Sequence, residues 1–262
     1  MNQNFRRNLF GSFLSFVLVI VVWQLIVSLG HVAPYVAPQP LDAWRSLTTH
    51  WSTLWPLVLG TIGETVVGFV VGATLGLGLG VVLAKRRFIQ RVVYPILILT
   101  QAIPIIALAP PLVLVFGFNL APKVIIVAWI VFFPVTVNVL DGLSHVDRDL
   151  LTLARSYGAS PWRTFSAIEL PASATNIFSG LKIGATYAVT GAIIGELAAS
   201  SGSSLAIYQH AQSAQLNAAG VYATTILMTL IGIGWFGLIV LVEFFTTPWN
   251  RRQIARRAGQ HI

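Results

Sequence analysis

Two carboxylates, Glu64 and Glu196, stand inside long apolar runs. An ionisable group at membrane depth is costly, so each is a candidate for a solute path, with a structural hydrogen bond to a neighbouring helix as the alternative. Glu196 precedes the polar stretch LAASSGSSLAIYQHAQ, which predicts a partly solvated position near an outer mouth, with His210 facing water. Patterns for catalysis are missing. There is no GxxxxGK(S/T) phosphate loop, no HExxH and no GxSxG elbow. The five histidines, at 31, 50, 145, 210 and 261, lack metal-ligand spacing, and the absence of cysteine removes disulfides and thiol chemistry. The chain reads as no enzyme, with no metal and no cofactor of its own.

The second chemistry-bearing stretch is LTLARSYGASPWRTFSAIELPAS, residues 151–173, polar and turn-rich in an apolar chain. Asp147 and Asp149 favour a helix start through the helix dipole. Gly158 breaks that helix, and Ser160-Pro161 suits the cap and first turn of a second short one. Pro171 is expected to stop it. Leu150, Leu153, Ala154 and Tyr157 fall on one face. Small Ala154, Gly158 and Ala159 permit close docking of the bend into a groove on a soluble partner. A helix lying on the membrane surface is the bland alternative.

The elements holding these residues are set by composition. Of 262 residues, 56% are hydrophobic and 9% charged, far below the roughly 25% charged of soluble domains. Mean hydropathy is +0.79. This predicts an all-α polytopic membrane protein with a single transmembrane domain over residues 1–262. Six spans are expected, at about residues 9–29, 57–83, 92–116, 124–140, 177–199 and 221–245. The first is read as an uncleaved span because its apolar run is longer than a signal core. The third is broken by Pro95, Pro104, Pro110 and Pro111. Broken backbone at membrane depth belongs where protein or a water-filled cavity covers it, so Gln101 and Pro104 join Glu64 and Glu196 as path candidates.

Net charge is +8, and the basic residues border apolar runs, which favours membrane lipid over nucleic acid as the partner. Fourteen of the sixteen Lys and Arg fall before span one, between spans two and three, in or beside the loop between four and five (Lys182 beside it), or after six. Arg45 and Lys123 fall opposite. Cytoplasmic loops collect such residues, so both termini and the 151–173 stretch should be cytoplasmic. Gly68, Gly72, Gly76 and Gly80 recur every fourth residue and form a face where another helix can approach closely. Gly180, Gly184, Gly191 and Gly195 repeat the pattern in span five. Between spans one and two, a short surface helix capped by Asp42 is expected, with Trp44, Trp51 and Trp55 in an interfacial belt.

The 151–173 stretch resembles the cytoplasmic loop of binding-protein-dependent ABC importer permeases, whose pattern is EAA, three residues, G, nine residues, I, one residue, LP. Ala154, Gly158, Ile168, Leu170 and Pro171 match at those spacings, while Thr152 and Leu153 replace the Glu and first Ala. IPIIALAPPLVLVFGFN in span three also resembles this family, in its nitrate/sulfonate/taurine group with thiamine-precursor and riboflavin permeases. The resemblance implies the type I importer permease fold in a bacterial inner membrane, with a coupling loop over about residues 141–176. It also implies a second permease copy and two cytoplasmic ATPase subunits that bind ATP and magnesium. It further implies an external solute-binding protein that delivers cargo. A channel or secondary carrier working without ATPases is the rival; it would show more coupling charges within spans.

Overall fold

The computed structural model describes residues 3–30, 33, 35–199 and 202–249. Arg251, Arg252, Arg256 and Arg257, the side chains of Arg6 and Arg7, and His31 and His261 lie outside the described residues. Every described element is helical, as lipid demands when backbone groups must be satisfied within a segment. The elements are α1 (Gln3–Leu29), α2 (Pro40–Thr49), α3 (Trp51–Lys85), α4 (Arg87–Thr100), α5 (Ile105–Phe116) and α6 (Leu120–Ser144). They continue with α7 (Arg148–Ser156), α8 (Pro161–Thr164), a π-helical turn (Phe165–Glu169), α9 (Leu170–Ala199), α10 (Leu205–Ala214) and α11 (Ala218–Thr246).

Four described helical stretches are long and apolar enough to cross a bilayer: Trp51–Lys85, Leu120–Ser144, Pro161–Ala199 and Ala218–Thr246. The expected first span falls within α1, of which Leu18–Leu29 is an apolar helix among the described residues. The expected third span is α4 and α5, bent by 95°. Only Pro104, just before α5, stands at the break; Pro95, Pro110 and Pro111 lie inside helices. Asp42 is not a cap. Gln39 occupies the N-cap of α2 and Pro40 its first position, leaving Asp42 in the first turn against the helix dipole.

Packing divides the described chain into two compact units, and α3 and α11 each contribute to both. In the first unit, up to Leu59 and from Ser203 to Thr229, Ala43, Leu47, Leu54 and Leu205 are buried. There Trp23 and Tyr222 stack with ring centroids 5.4 Å apart.

The second unit, Gly60–Gly202 with the described residues from Leu230 onward, is built on α6. Lipid tails are as apolar as leucine, so helices associate in a membrane through close contact rather than by escape from solvent. Val127, Val131, Val135 and Val139 form a fully buried ridge on α6, one residue per turn. The glycine face of α3 beds on it. A Cβ on Gly72 would lie 2.6 Å from the Ala128 carbonyl oxygen, and one on Gly76 2.7 Å from that of Phe132. Gly68 and Gly80 meet Val127 and Val139 as closely. The second glycine face, on α9, meets α6 as well. Gly180 lies against Asn138, Gly184 against Val131, Gly191 against Ile130 and Gly195 against Lys123. Phe69 and Trp235 add an edge-to-face pair at 5.2 Å.

Candidate functional site: an exposed elbow and a buried charge cluster

The elbow begins at Asp147, whose carboxylate caps α7 by accepting the Asp149 N–H at 2.8 Å. It turns at Gly158, with φ +72°. The Gly158 N–H donates to Arg155 O at 2.9 Å and the Ala159 N–H to Ala154 O at 3.0 Å. This pair of bonds is a Schellman turn, and its left-handed residue favours glycine. A Cβ on Gly158 would meet nothing within 4 Å, so in this chain glycine answers to backbone conformation and not to crowding. Ser160 then caps α8 through the Arg163 N–H at 3.3 Å.

Pro171 does not stop the second helix. The helical run is continuous from Pro161 to Ala199. The turn before the proline is widened to π geometry, with Leu170 N–H donating to Phe165 O. Such a turn relieves the clash between a proline ring and the carbonyl four residues back. Two short helices are therefore replaced by one, α7, facing the first turns of a membrane helix. Glu169 in the wide turn pairs with Lys85 at the end of α3, and the Lys85 ammonium sits 5.2 Å over the Phe165 ring. Trp249 Nε1 donates to Pro171 O at 3.3 Å.

Leu150, Leu153 and Tyr157 share the outward stripe of α7 and are all exposed, Tyr157 by 83%. Ala154, Ala159 and Ile168 are half-buried, and Leu170 is exposed. Trp162, 74% exposed, was not among the residues expected from the sequence. Its signal is an aromatic residue one position after the helix-starting Pro161.

The two carboxylates meet in one cluster. Lys123 Nζ donates to Glu64 Oε1 at 2.6 Å, and the Thr61 hydroxyl donates to Glu196. Thr61 and Glu64 are three residues apart on α3 and share a face. Glu196 lies close enough to Glu64 for their charges to repel. Glu196 is 1% exposed, so the expected partial solvation is corrected: close contact of Gly195 with α6 and the Thr61 hydroxyl replace water. Lys123 is likewise no loop charge but a residue of α6 whose side chain is 13% exposed. Lys182, expected beside a cytoplasmic loop, lies in α9 and pairs with Glu243 of α11 at 3.0 Å. Lys123, Lys182 and Glu243 are three intramembrane charges that the sequence reading did not count.

Gln101 and Pro104 line a separate groove of about 430 Å³ with Trp129, Phe133, Ile183 and Tyr187. Its lining includes neither carboxylate, so the four path candidates fall into two pairs. Among the described residues, no group of His, Cys, Asp and Glu is arranged to hold a metal.

Residues 72–247 match the family described as binding-protein-dependent transport system inner membrane component. The chain belongs to this family. It is a permease component of an ABC importer, and such a subunit is not itself an enzyme. The permease is 37% identical over 183 residues to a probable ABC transporter permease protein of Haemophilus influenzae, covering 70% of this chain and 75% of that one. It is 31% identical over 243 residues to the formylaminopyrimidine transport permease protein ThiX of Halalkalibacterium halodurans, covering 92% and 96%. Relatives also include proteins named as riboflavin and putative aliphatic sulfonates transport permeases, of Chloroflexus aurantiacus and Bacillus subtilis. A chain of the inward-facing MetNI methionine ABC transporter shares the type I permease fold, with TM-score 0.58 and 19% identity over 73% of the permease and 98% of that chain.

Proposed function

We propose that two copies of this permease form the path of an importer for a small heterocycle, a pyrimidine thiamine precursor or a riboflavin-like compound. An external binding protein delivers the cargo. Each elbow seats in a groove of one of two cytoplasmic ATPases, which bind the ATP and magnesium. Both termini then face the cytoplasm, as the basic loops favour. The carrying observation is the elbow: a capped, glycine-locked bend that leaves Leu150, Leu153, Tyr157 and Trp162 outside the packed helices. Apolar side chains clustered on such a projection mark a contact surface. The near-full-length likeness to a formylaminopyrimidine permease supports the cargo class.

The elbow is tested by the Tyr157→Ala/Trp162→Ala double variant in the assembled importer. Truncating two aromatic anchors is expected to weaken ATPase association by about thirtyfold or more and to abolish ATP-driven uptake. Wild-type association and uptake would refute the docking. Uptake by the permease without any ATPase would instead select the carrier reading. A ligand screen on the partner binding protein tests the cargo: heterocycle binding supports it, and binding of sulfonates alone overturns it.

A further inference from the structure

The opposite face of α7 has a different chemistry. Arg148, Thr152 and Arg155 turn away from the Leu150–Leu153–Tyr157 stripe and line a cavity of about 670 Å³. Lys85 at the end of α3, with Arg87 and Gln90 of α4, lines it as well. Glu169 is the acid in this lining and is paired with Lys85. Among the described residues, no carboxylate lies within ion-pair reach of Arg87, Arg148 or Arg155. Three guanidinium groups thus converge on a polar cavity without a counter-charge.

We propose that this cavity holds the phosphate of an anionic membrane phospholipid. The planar forks of arginine match phosphate oxygens. The cavity lies at the ends of apolar helices, α3 and α6, where headgroups gather. Beside it, on α4, Phe88 is 80% exposed and Val92 50% exposed, which gives an apolar flank for an acyl chain. Basic residues at this depth draw anionic lipid. A bound headgroup bridges the elbow to α4, so the lipid stiffens the base of the elbow. The inference rests on the membrane placement of α3 and α6 and is independent of ATPase docking.

The test uses the purified full-length permease in detergent, titrated with short-chain phosphatidylglycerol, short-chain phosphatidylcholine or inorganic phosphate, with thermal stability as the readout. Phosphatidylglycerol is expected to raise the melting temperature saturably, and the other two are not. Each arginine contributes a factor of about five near an anionic headgroup, so Arg87→Gln/Arg148→Gln/Arg155→Gln should shift half-saturation by on the order of a hundredfold. Arg91→Gln, outside the cavity lining, should leave it unchanged. Should the triple variant fail to fold, Arg155→Gln alone, with an expected shift of about fivefold, carries the test. An unshifted titration in the variants would overturn the proposal. So would equal stabilisation by inorganic phosphate, which would make this a free-anion site. A flat lipid titration, with the arginines needed only for ATPase association, would assign them to that partner and also overturn it.

Discussion

Replacing Lys123 by methionine should destabilise the permease more than any single change at its partner Glu64. The cluster holds one ammonium against two carboxylates, with side-chain exposures of 13% for Lys123 and 9% for Glu64, and 1% exposure for Glu196. The Thr61 hydroxyl donates to Glu196. Removing Lys123 leaves Glu64 and Glu196 buried and repelling each other. Breaking a buried pair from one side costs about 3–5 kcal/mol, or roughly two to four decades in the folded-to-unfolded ratio. Glu64→Met moves the cluster towards neutrality, because Lys123 still offsets Glu196, and should cost about 2 kcal/mol or less.

The double variant Glu64→Met/Lys123→Met removes both the unpaired acceptor and its repulsion of Glu196. It should recover at least half of the Lys123→Met loss. Reversible unfolding in mixed micelles measures all three variants against wild type, and the coupling energy follows from the cycle. Equal losses for the two single variants, or additive behaviour in the double, would refute the idea that Lys123 offsets two carboxylates at once.

The glycine face and the turn give further tests. Gly72→Ala places a methyl group against the α6 backbone and should cost about 1–3 kcal/mol by overpacking, whereas Gly78→Ala, with open space around it, should be neutral in the same unfolding assay. Gly158→Ala meets no neighbour but must hold φ +72°, so it should cost about 1–2 kcal/mol locally, read as faster amide exchange at Ala159, with the protein still inserted. Gly158→Trp should uncouple ATP hydrolysis from uptake through bulk at the docking surface; normal uptake would count against the role of the bend.

Much of this was legible in residue spacing. The i, i+4 glycines of α3 announced a close-packed face, and the four-residue recurrence of Val127, Val131, Val135 and Val139 was present in the sequence as its counterpart. Asp147, Gly158 and Ser160 announced the elbow because caps and left-handed turns depend on neighbours within a few residues. Pro171 misled because its tolerance depends on the widened turn before it, where Glu169 is tied to Lys85, 84 residues away. Glu196 misled for the same reason: the polar stretch after it suggested water, while burial is set by Thr61, 135 residues away, and by the fit of Gly195 on α6. Local chemistry was readable, and pairing across the bundle was not.

The continuity of Pro161–Ala199 bears on how a push at the elbow is carried. About 35 residues separate Pro161 from Glu196, roughly 50 Å of unbroken helix at 1.5 Å per residue. Its glycine face lies on α6 from Gly180 to Gly195, and Gly195 packs against the backbone and the base of the side chain of Lys123. One end of this helix is held by the Lys85–Glu169 pair and the Trp249 hydrogen bond, and the other end carries Glu196 beside Thr61. Over the stretch from Gly180 to Gly195 this close contact leaves little room for a kink. The place where the bundle is already broken is the 95° bend between α4 and α5, which carries Gln101 and Pro104. That groove faces α9 through Ile183 and Tyr187. The elbow and the groove thus share one continuous helical run, Pro161–Ala199, which carries Ile183 and Tyr187 into the groove lining.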